Sequence, residues 1–326
     1  MTILVIGRED VRRELDYKSC IELMRSAMIA LSRGETLQIP RQIVRMDNGR
    51  MFGVMPGAMG GQREFGAKIV SVFPENHARG LQSHQGPVIL FEPETGTLTA
   101  IVHAGEITAI RTAAASALAT DQLARADAEI LAILGYGDQA HSHVRAIREV
   151  RKLSQIRVWG RDIAKARAFA EEIGAEVGID CHAFDSVAEA VRDADIICTT
   201  TAAQEPILFA KDVAAGTHVN VVGSSFAGPA EIDNALVLRS RYFADHREHV
   251  LAQGAEFIRA REAGLIDEGH LLAEIGEVLD GTKAGRGADD EVTIYKSLGH
   301  VVQDLASAWH LYQKASEGGW GTRVAF

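Results

Sequence analysis

Apolar and polar positions recur along this chain with two periods, and the balance between them changes near residue 120. Tyr17 to Leu31 sets Ile21, Met24, Met28 and Leu31 at helical spacing, which predicts an amphipathic helix. Short alternating runs follow. Asp47-Asn48-Gly49 separates RQIVRM from RMFGVM, and EPETG separates PVILF from TLTAIV, so both read as hairpins, with EFGAKIVSVF as a further strand. From Gly105 a helix of small residues, GEITAIRTAAASALATDQLA, closes this region.

Beyond it strands and helices alternate. EILAILG leads into DQAHSHVRAIREVRKL, with Ala140, Val144, Ile147 and Val150 on one face; QIRVWG leads into DIAKARAFAEEI; ADIICTTT, THVNVVG and RYFA continue the pattern. Such alternation predicts a parallel, doubly wound sheet. A final helix from Ile294 to Lys314 is expected with no strand after it, placed to return to the first region. The fold class is α/β: a Rossmann sheet plus a mixed α+β domain.

Composition narrows the function without naming it. The chain has 326 residues, enough for two modest domains, and 34 basic against 44 acidic residues give a net charge of −10. An acidic chain without a basic cluster is poorly suited to nucleic acid or an anionic membrane. No apolar run reaches a membrane span. MTILVIGRED carries only five apolar residues before charge intervenes, too short for a signal peptide, so a cytoplasmic protein is expected. Cys20, Cys181 and Cys198 are too far apart for a zinc site and odd in number for disulfides. The histidines, His141 and His143 included, form no ligand set with nearby acids, and no metal is expected.

At the junction of the first alternating unit, ILGYGDQA gives Gly135-x-Gly137-x-x-Ala140. The pattern suits a dinucleotide: a tight turn at Gly135, close backbone approach to pyrophosphate at Gly137, and a small residue at Ala140 for helix packing. About twenty residues on, where NAD-specific folds place an acid on the ribose, stand Gly160 and Arg161. A guanidinium there suits the 2′-phosphate of NADP(H), while Asp162 keeps NAD(H) open.

Three basic residues sit where solubility does not require them. Lys68 shares a strand face with Val70 and Val72, as an edge gatekeeper or a functional cation. Arg111 lies on a helical stripe with Ile107, Ala114 and Leu118, so it needs an anionic partner, either a structural carboxylate or a ligand's carboxylate or phosphate. Arg41 opens a strand after Pro40. Together they suggest a small anionic substrate held against the cofactor. Ser83 and His84 occupy a turn before a strand, and His84 has the chemistry to relay a proton near neutral pH.

Taken in order, FGVMPG, FGAKIVSVFPEN, RGLQSHQGPVILFEPETGTLTAI, ITAIRTAAASALAT, ILGYGDQAHSH, EPILF, THVNVVGSS and VTIYKSLG resemble the ornithine cyclodeaminase/mu-crystallin family over almost the whole chain. SHQ, LFEPETGTL and VWGR look most like the mu-crystallin, or ketimine reductase, branch. The resemblance implies a substrate-binding and dimerisation domain, here residues 1–118 with 305–326, and a Rossmann domain, 119–304, in a homodimer. It implies that Arg41, Lys68 and Arg111 hold the substrate carboxylate, with Lys68 moving a proton. It implies that Ser83, Arg111, Thr112, Asp138, Gln139, Thr200 and Asn220-Val221-Val222-Gly223 contact cofactor. Deaminating members carry an aspartate where Ser225 stands. A hydroxyl is a poor base without an activator, so the expected reaction is NAD(P)H-dependent reduction of an α-imino acid, with His84 and Ser225 assisting. Pyrroline- or piperideine-2-carboxylate, iminosuccinate, or a keto acid with ammonia are the substrates of that type. The alternatives are a cyclodeaminase-type lyase using NAD catalytically and a non-catalytic ligand-binding protein.

Overall fold

The computed structural model describes residues 2–60 and 64–326. The chain divides into two compact units, Met1–Arg111 with His300–Phe326, and Thr112–Gly299. The first division falls inside the helix Ala104–Leu123, earlier than the expected break after residue 118, because a continuous run of small helix formers carries no turn signal there.

The first unit is built on a mixed sheet. From one edge its strands run Thr322–Ala325, Thr2–Ile6, Leu98–His103, Pro87–Phe91, Phe65–Val72, Met51–Met59 and Thr36–Gln38. Gln42–Arg45 also pairs with Met51–Met59 across the Asp47–Gly49 turn, where Asn48 takes the left-handed conformation, so the first hairpin forms as expected. Pro87–Phe91 and Leu98–His103 form the second. The helix Tyr17–Ser32 buries Ile21, Met24, Met28 and Leu31.

The last helix and its surroundings depart from the sequence reading. Thr293–Lys296 is a strand of the other unit's sheet, and the helix is Val301–Gly318, with Thr322–Ala325 following it as a strand paired to Thr2–Ile6. Gly299 takes a positive φ between strand and helix. His300 and Gln303 cap the helix reciprocally, which fixes its start later than the apolar run suggests. This helix packs on Tyr17–Ser32 and across Met51–Met59, Phe65–Val72 and Pro87–Phe91. It is buried along much of its length, including the polar Gln303 and Asp304.

The second unit holds eight parallel strands. From one edge they are Asp180–Ala183, Gln155–Trp159, Ile130–Leu134, Ile196–Thr199, His218–Val221, Thr293–Lys296, Arg241–Ala244 and Leu271–Glu274. The order reverses between Ile130–Leu134 and Ile196–Thr199, which makes the C-terminal end of Ile130–Leu134 a topological switch point. The final strand, Thr293–Lys296, inserts beside His218–Val221 rather than extending the sheet at its edge. No helix among the described residues is long and apolar enough to cross a membrane. The three cysteines are free, Cys20 and Cys198 being buried.

Candidate active site

In the first unit, Lys68 lies mid-strand between Met55 and Val88 of the neighbouring strands, with its side chain only 5% exposed. Its Nζ donates to Thr108 Oγ1 at 2.6 Å and to Asp304 Oδ1 at 3.3 Å. Arg111, one helical turn after Thr108 and equally buried, donates from Nε to the same Asp304 oxygen at 2.9 Å and from Nη1 to Gln303 Oε1 at 2.7 Å. Burial pushes the Lys68 ammonium down to about 8, with Asp304 opposing the fall and Arg111 and Arg41 adding to it. Arg41, half-buried before the strand Gln42–Arg45, thus bears electrostatically on Lys68. The unit brings two of the predicted cations, Lys68 and Arg111, onto one carboxylate, with Arg41 acting electrostatically on Lys68.

Asp304 went unrecognised in the sequence, and it answers the question Arg111 raises: its counter-ion is a carboxylate of the chain. The signal was an acid inside an apolar stripe, Val302, Leu305, Ala306 and Ala308, where a charge must be paired. His84 lies on the same sheet, with Ser83 in the bend just before it. His84 is exposed, pairs with Val72, and its Nδ1 meets Ser83 Oγ at 2.9 Å.

In the second unit, Gly135 ends the switch-point strand with φ +131°, and a Cβ there would lie 2.6 Å from Thr200 Oγ1 and 2.8 Å from Thr200 O. Thr200 is tied to that strand end, donating from N and Oγ1 to Leu134 O. Gly137 begins the helix Asp138–Ile147 with no side-chain cap, and the space above its Cα is open. Gln139 Oε1 is buried without a hydrogen-bond partner. His143, neutral because burial pushes it down to about 4, anchors the helix through Ser116 Oγ at 2.9 Å. An uncapped helix start beside a glycine turn offers free N–H groups to a phosphate, so these residues fit a dinucleotide.

At the end of the next strand the ring of Tyr136 lies over Gly160, where an added Cβ would sit 2.2 Å from it. A side chain at 160 would have to displace the Tyr136 ring. Arg161 is exposed and makes no hydrogen bond or ion pair among the described residues. Asp162 caps the helix Ile163–Val177, its Oδ1 accepting from both Ala164 N and Lys165 N.

The strand His218–Val221 runs into the exposed Gly223 and the half-buried Ser225. Val221 and Val222 are buried, and Asn220 is wholly so, its Nδ2 donating to Thr120 Oγ1 at 2.9 Å. Thr112 is buried on the long helix beside Arg111. Beneath the Gly223-Ser224 turn lies an ionic network absent from the sequence reading. Lys296 Nζ donates to Ser224 O and Oγ, both at 2.6 Å, and pairs with Glu256 Oε2 at 2.9 Å, with Lys296 and Glu256 fully buried. Ser224 Oγ donates to Glu256 Oε1. Glu231 accepts from Thr199 Oγ1, Thr201 N, Thr201 Oγ1 and Gly223 N, and burial holds its carboxyl above the usual range.

A parallel sheet with a glycine turn and uncapped helix at its switch point defines a Rossmann-type dinucleotide-binding protein, here joined to a mixed sheet carrying a buried cation cluster. The chain belongs to the ornithine cyclodeaminase/mu-crystallin family, whose model matches residues 2–319. It is 33% identical to a Δ1-pyrroline-2-carboxylate reductase of Bacillus cereus, covering 99% of this chain and all of the relative. It is 34% identical to the ketimine reductase mu-crystallin of Mus musculus, over 96% of this chain and 97% of that one. Among solved structures, the Thermococcus litoralis Δ1-pyrroline-2-carboxylate reductase in complex with NADH and L-proline aligns with a TM-score of 0.96 at 34% identity, covering 99% and 100% of the two chains.

Proposed function

We propose that this protein is a nicotinamide-dependent reductase of α-imino acids, acting on the C=N bond of a small carboxylate substrate such as pyrroline- or piperideine-2-carboxylate. Its relatives include a Δ1-pyrroline-2-carboxylate reductase and a ketimine reductase, and the chain is an oxidoreductase acting on C=N bonds. The observation that carries the reading is the buried Lys68–Asp304–Arg111 cluster, with Arg41 close enough to act on Lys68. Lys68 and Arg111 share one internal carboxylate, and two buried cations against one buried anion leave net positive charge for an incoming carboxylate.

Arg41, Lys68 and Arg111 hold the substrate carboxylate. Lys68, with one N–H left beyond Thr108 and Asp304, keeps the imine nitrogen protonated or delivers its proton. A protonated iminium accepts hydride more readily than a neutral imine. A reduced nicotinamide, when bound, would supply the hydride. Gly135, Gly137, Asp138 and Gln139 hold the cofactor, with Ser83, Thr112, Thr200 and the backbone of Asn220 to Gly223 as further contacts. Ser225 offers a hydroxyl to the imine nitrogen or the nicotinamide, and His84 is a further proton relay. Deamination would need a base where Ser225 stands, and a hydroxyl is a far weaker base than the carboxylate that deaminating members carry there.

The exposed Arg161 at the end of the second strand favours the 2′-phosphate of NADP(H) over NAD(H). The first unit supplies the substrate site and the dimer contact, and the second the cofactor site. A homodimer is supported by the exposed apolar side chains Leu37, Ile39, Val44, Met46 and Phe52, gathered on and beside neighbouring strands of one sheet.

The test is steady-state oxidation of NADPH and NADH by purified protein with a panel of cyclic and open α-imino acids. At least one cyclic imine is expected to be reduced, with a lower KM for NADPH than for NADH. Equal KM values for both cofactors remove the role given to Arg161. No turnover of any imine, with ammonia released from ornithine and catalytic NAD, replaces the reductase reading with a lyase.

A further inference from the structure

The acid assigned to Lys68 stands in surroundings that oppose its charge. Its strand neighbours Met55 and Val88 are apolar. The helix Ala104–Leu123 presents Thr108 and Arg111, the segment before Gln42–Arg45 presents Arg41, and the helix Val301–Gly318 presents Asp304. Asp304 is thus the one anion acting on Lys68 among these groups. Its Oδ1 receives both cations, its side chain is fully buried, and its Oδ2 has no hydrogen-bond partner.

The geometry of bonds already made limits what remains for a ligand. An ammonium has three N–H groups. Lys68 commits one to Thr108 and one to Asp304, and Thr108 is itself fixed by donating to Ala104 O at 2.7 Å. Arg111 commits Nε to Asp304 and Nη1 to Gln303 Oε1, an oxygen that also accepts the His300 backbone N–H. The third Lys68 N–H, and the second Nη1 N–H and the Nη2 group of Arg111, are then left with set directions.

We infer that Asp304 is a positioning residue for the proposed reduction: it acts through Lys68 and Arg111, holding the ammonium charged and aiming both cations at the substrate. The inference rests on Lys68 as the acid. It explains why a carboxylate is tolerated inside a substrate-anion site. Without it, burial and two guanidinium groups would act on Lys68 unopposed, and the proton it must provide would be lost.

The experiment compares wild type, Asp304→Asn and Asp304→Glu in two readouts over pH. The first is the affinity for pyrrole-2-carboxylate, a planar anion with no reducible C=N bond. The second is kcat/KM for the best imine of the panel. Both are expected to fall on the alkaline side as Lys68 loses its proton. In Asp304→Asn that fall is expected about one pH unit or more lower, because an opposite charge at this distance is removed. An unmoved alkaline limb in both readouts overturns the inference. Absence of imine turnover in wild type would instead defeat the reductase reading, while the binding profile still tests Asp304. Should Asp304→Asn fail to fold, Asp304→Glu decides. It keeps the charge but displaces it, so the limb is expected to stay while kcat falls about tenfold or more. A kcat within about twofold of wild type would overturn the positioning role.

Discussion

Lys68→Met is expected to lower kcat/KM for imine reduction by about 10³-fold or more, equivalent to roughly 4 kcal/mol of transition-state stabilisation. Two losses combine in that figure, the proposed proton donor and one of the cations proposed to hold the substrate carboxylate. Methionine matches the length of the lysine stem and keeps its packing between Met55 and Val88. Asp304 retains Arg111 at 2.9 Å, so the substitution does not leave a buried carboxylate without a counter-ion. Folding is therefore expected to survive, and cofactor affinity, set in the other unit by the glycine turn, is expected to stay near wild type. Steady-state kinetics with a fluorescence titration of NADPH separate the effects. A kcat/KM within about tenfold of wild type would remove Lys68 from the chemistry.

Lys296→Met is expected to be the most destabilising of the single substitutions considered, by about 3–5 kcal/mol, because it strands a fully buried carboxylate. Glu256 loses its only ion-pair partner among the described residues, and Ser224 loses two hydrogen bonds from the same ammonium. Glu231, already held above the usual carboxylate range by burial, loses an opposing cation. The sign of the pH effect follows from that direction. A carboxyl whose folded value exceeds its unfolded one binds protons preferentially in the native state, so stability falls as pH rises above the unfolded carboxyl's range. In Lys296→Met this fall is expected to continue to higher pH. Denaturant unfolding over pH measures both effects. Lys296→Met with Glu256→Gln, which removes both charges, is expected to recover at least part of the loss, since an absent pair costs less than a broken one. A single variant as stable as wild type would show that the network contributes little.

Features encoded by local periodicity were readable in the sequence, and those made by distant partners were not. Period-two alternation places Lys68 on its strand, the helical stripe places Arg111, and the glycine spacing marks the switch-point turn. Asp304 escaped because a helix scanned for apolar spacing hides an acid whose partners lie far away in sequence, on the strand Phe65–Val72 and the helix Ala104–Leu123. Glu231, Glu256 and Lys296 escaped for the same reason, meeting only where the sheet brings their segments under the Ser224 turn. Thr293–Lys296 was absorbed into the following helix because TIYK is short, and the positive φ of Gly299 marks the break. The final strand, Thr322–Ala325, is exposed at every position, so no burial pattern announced it. Gly160 read as a missing acid, whereas the ring of Tyr136 occupies the space a side chain would need.

The proposed chemistry is hydride delivery to the carbon of a C=N bond, and isotope transfer tests it most directly. NADPH or NADH deuterated at C4 of the nicotinamide, on the face the enzyme uses, is incubated with the best cyclic imine of the panel, and the amino acid formed is analysed by mass spectrometry and NMR. The expected product carries one deuterium, at Cα, with no ammonia consumed or released. An amino acid formed without deuterium at Cα from either labelled face, or a product that appears only with release of ammonia, would contradict the reductase mechanism.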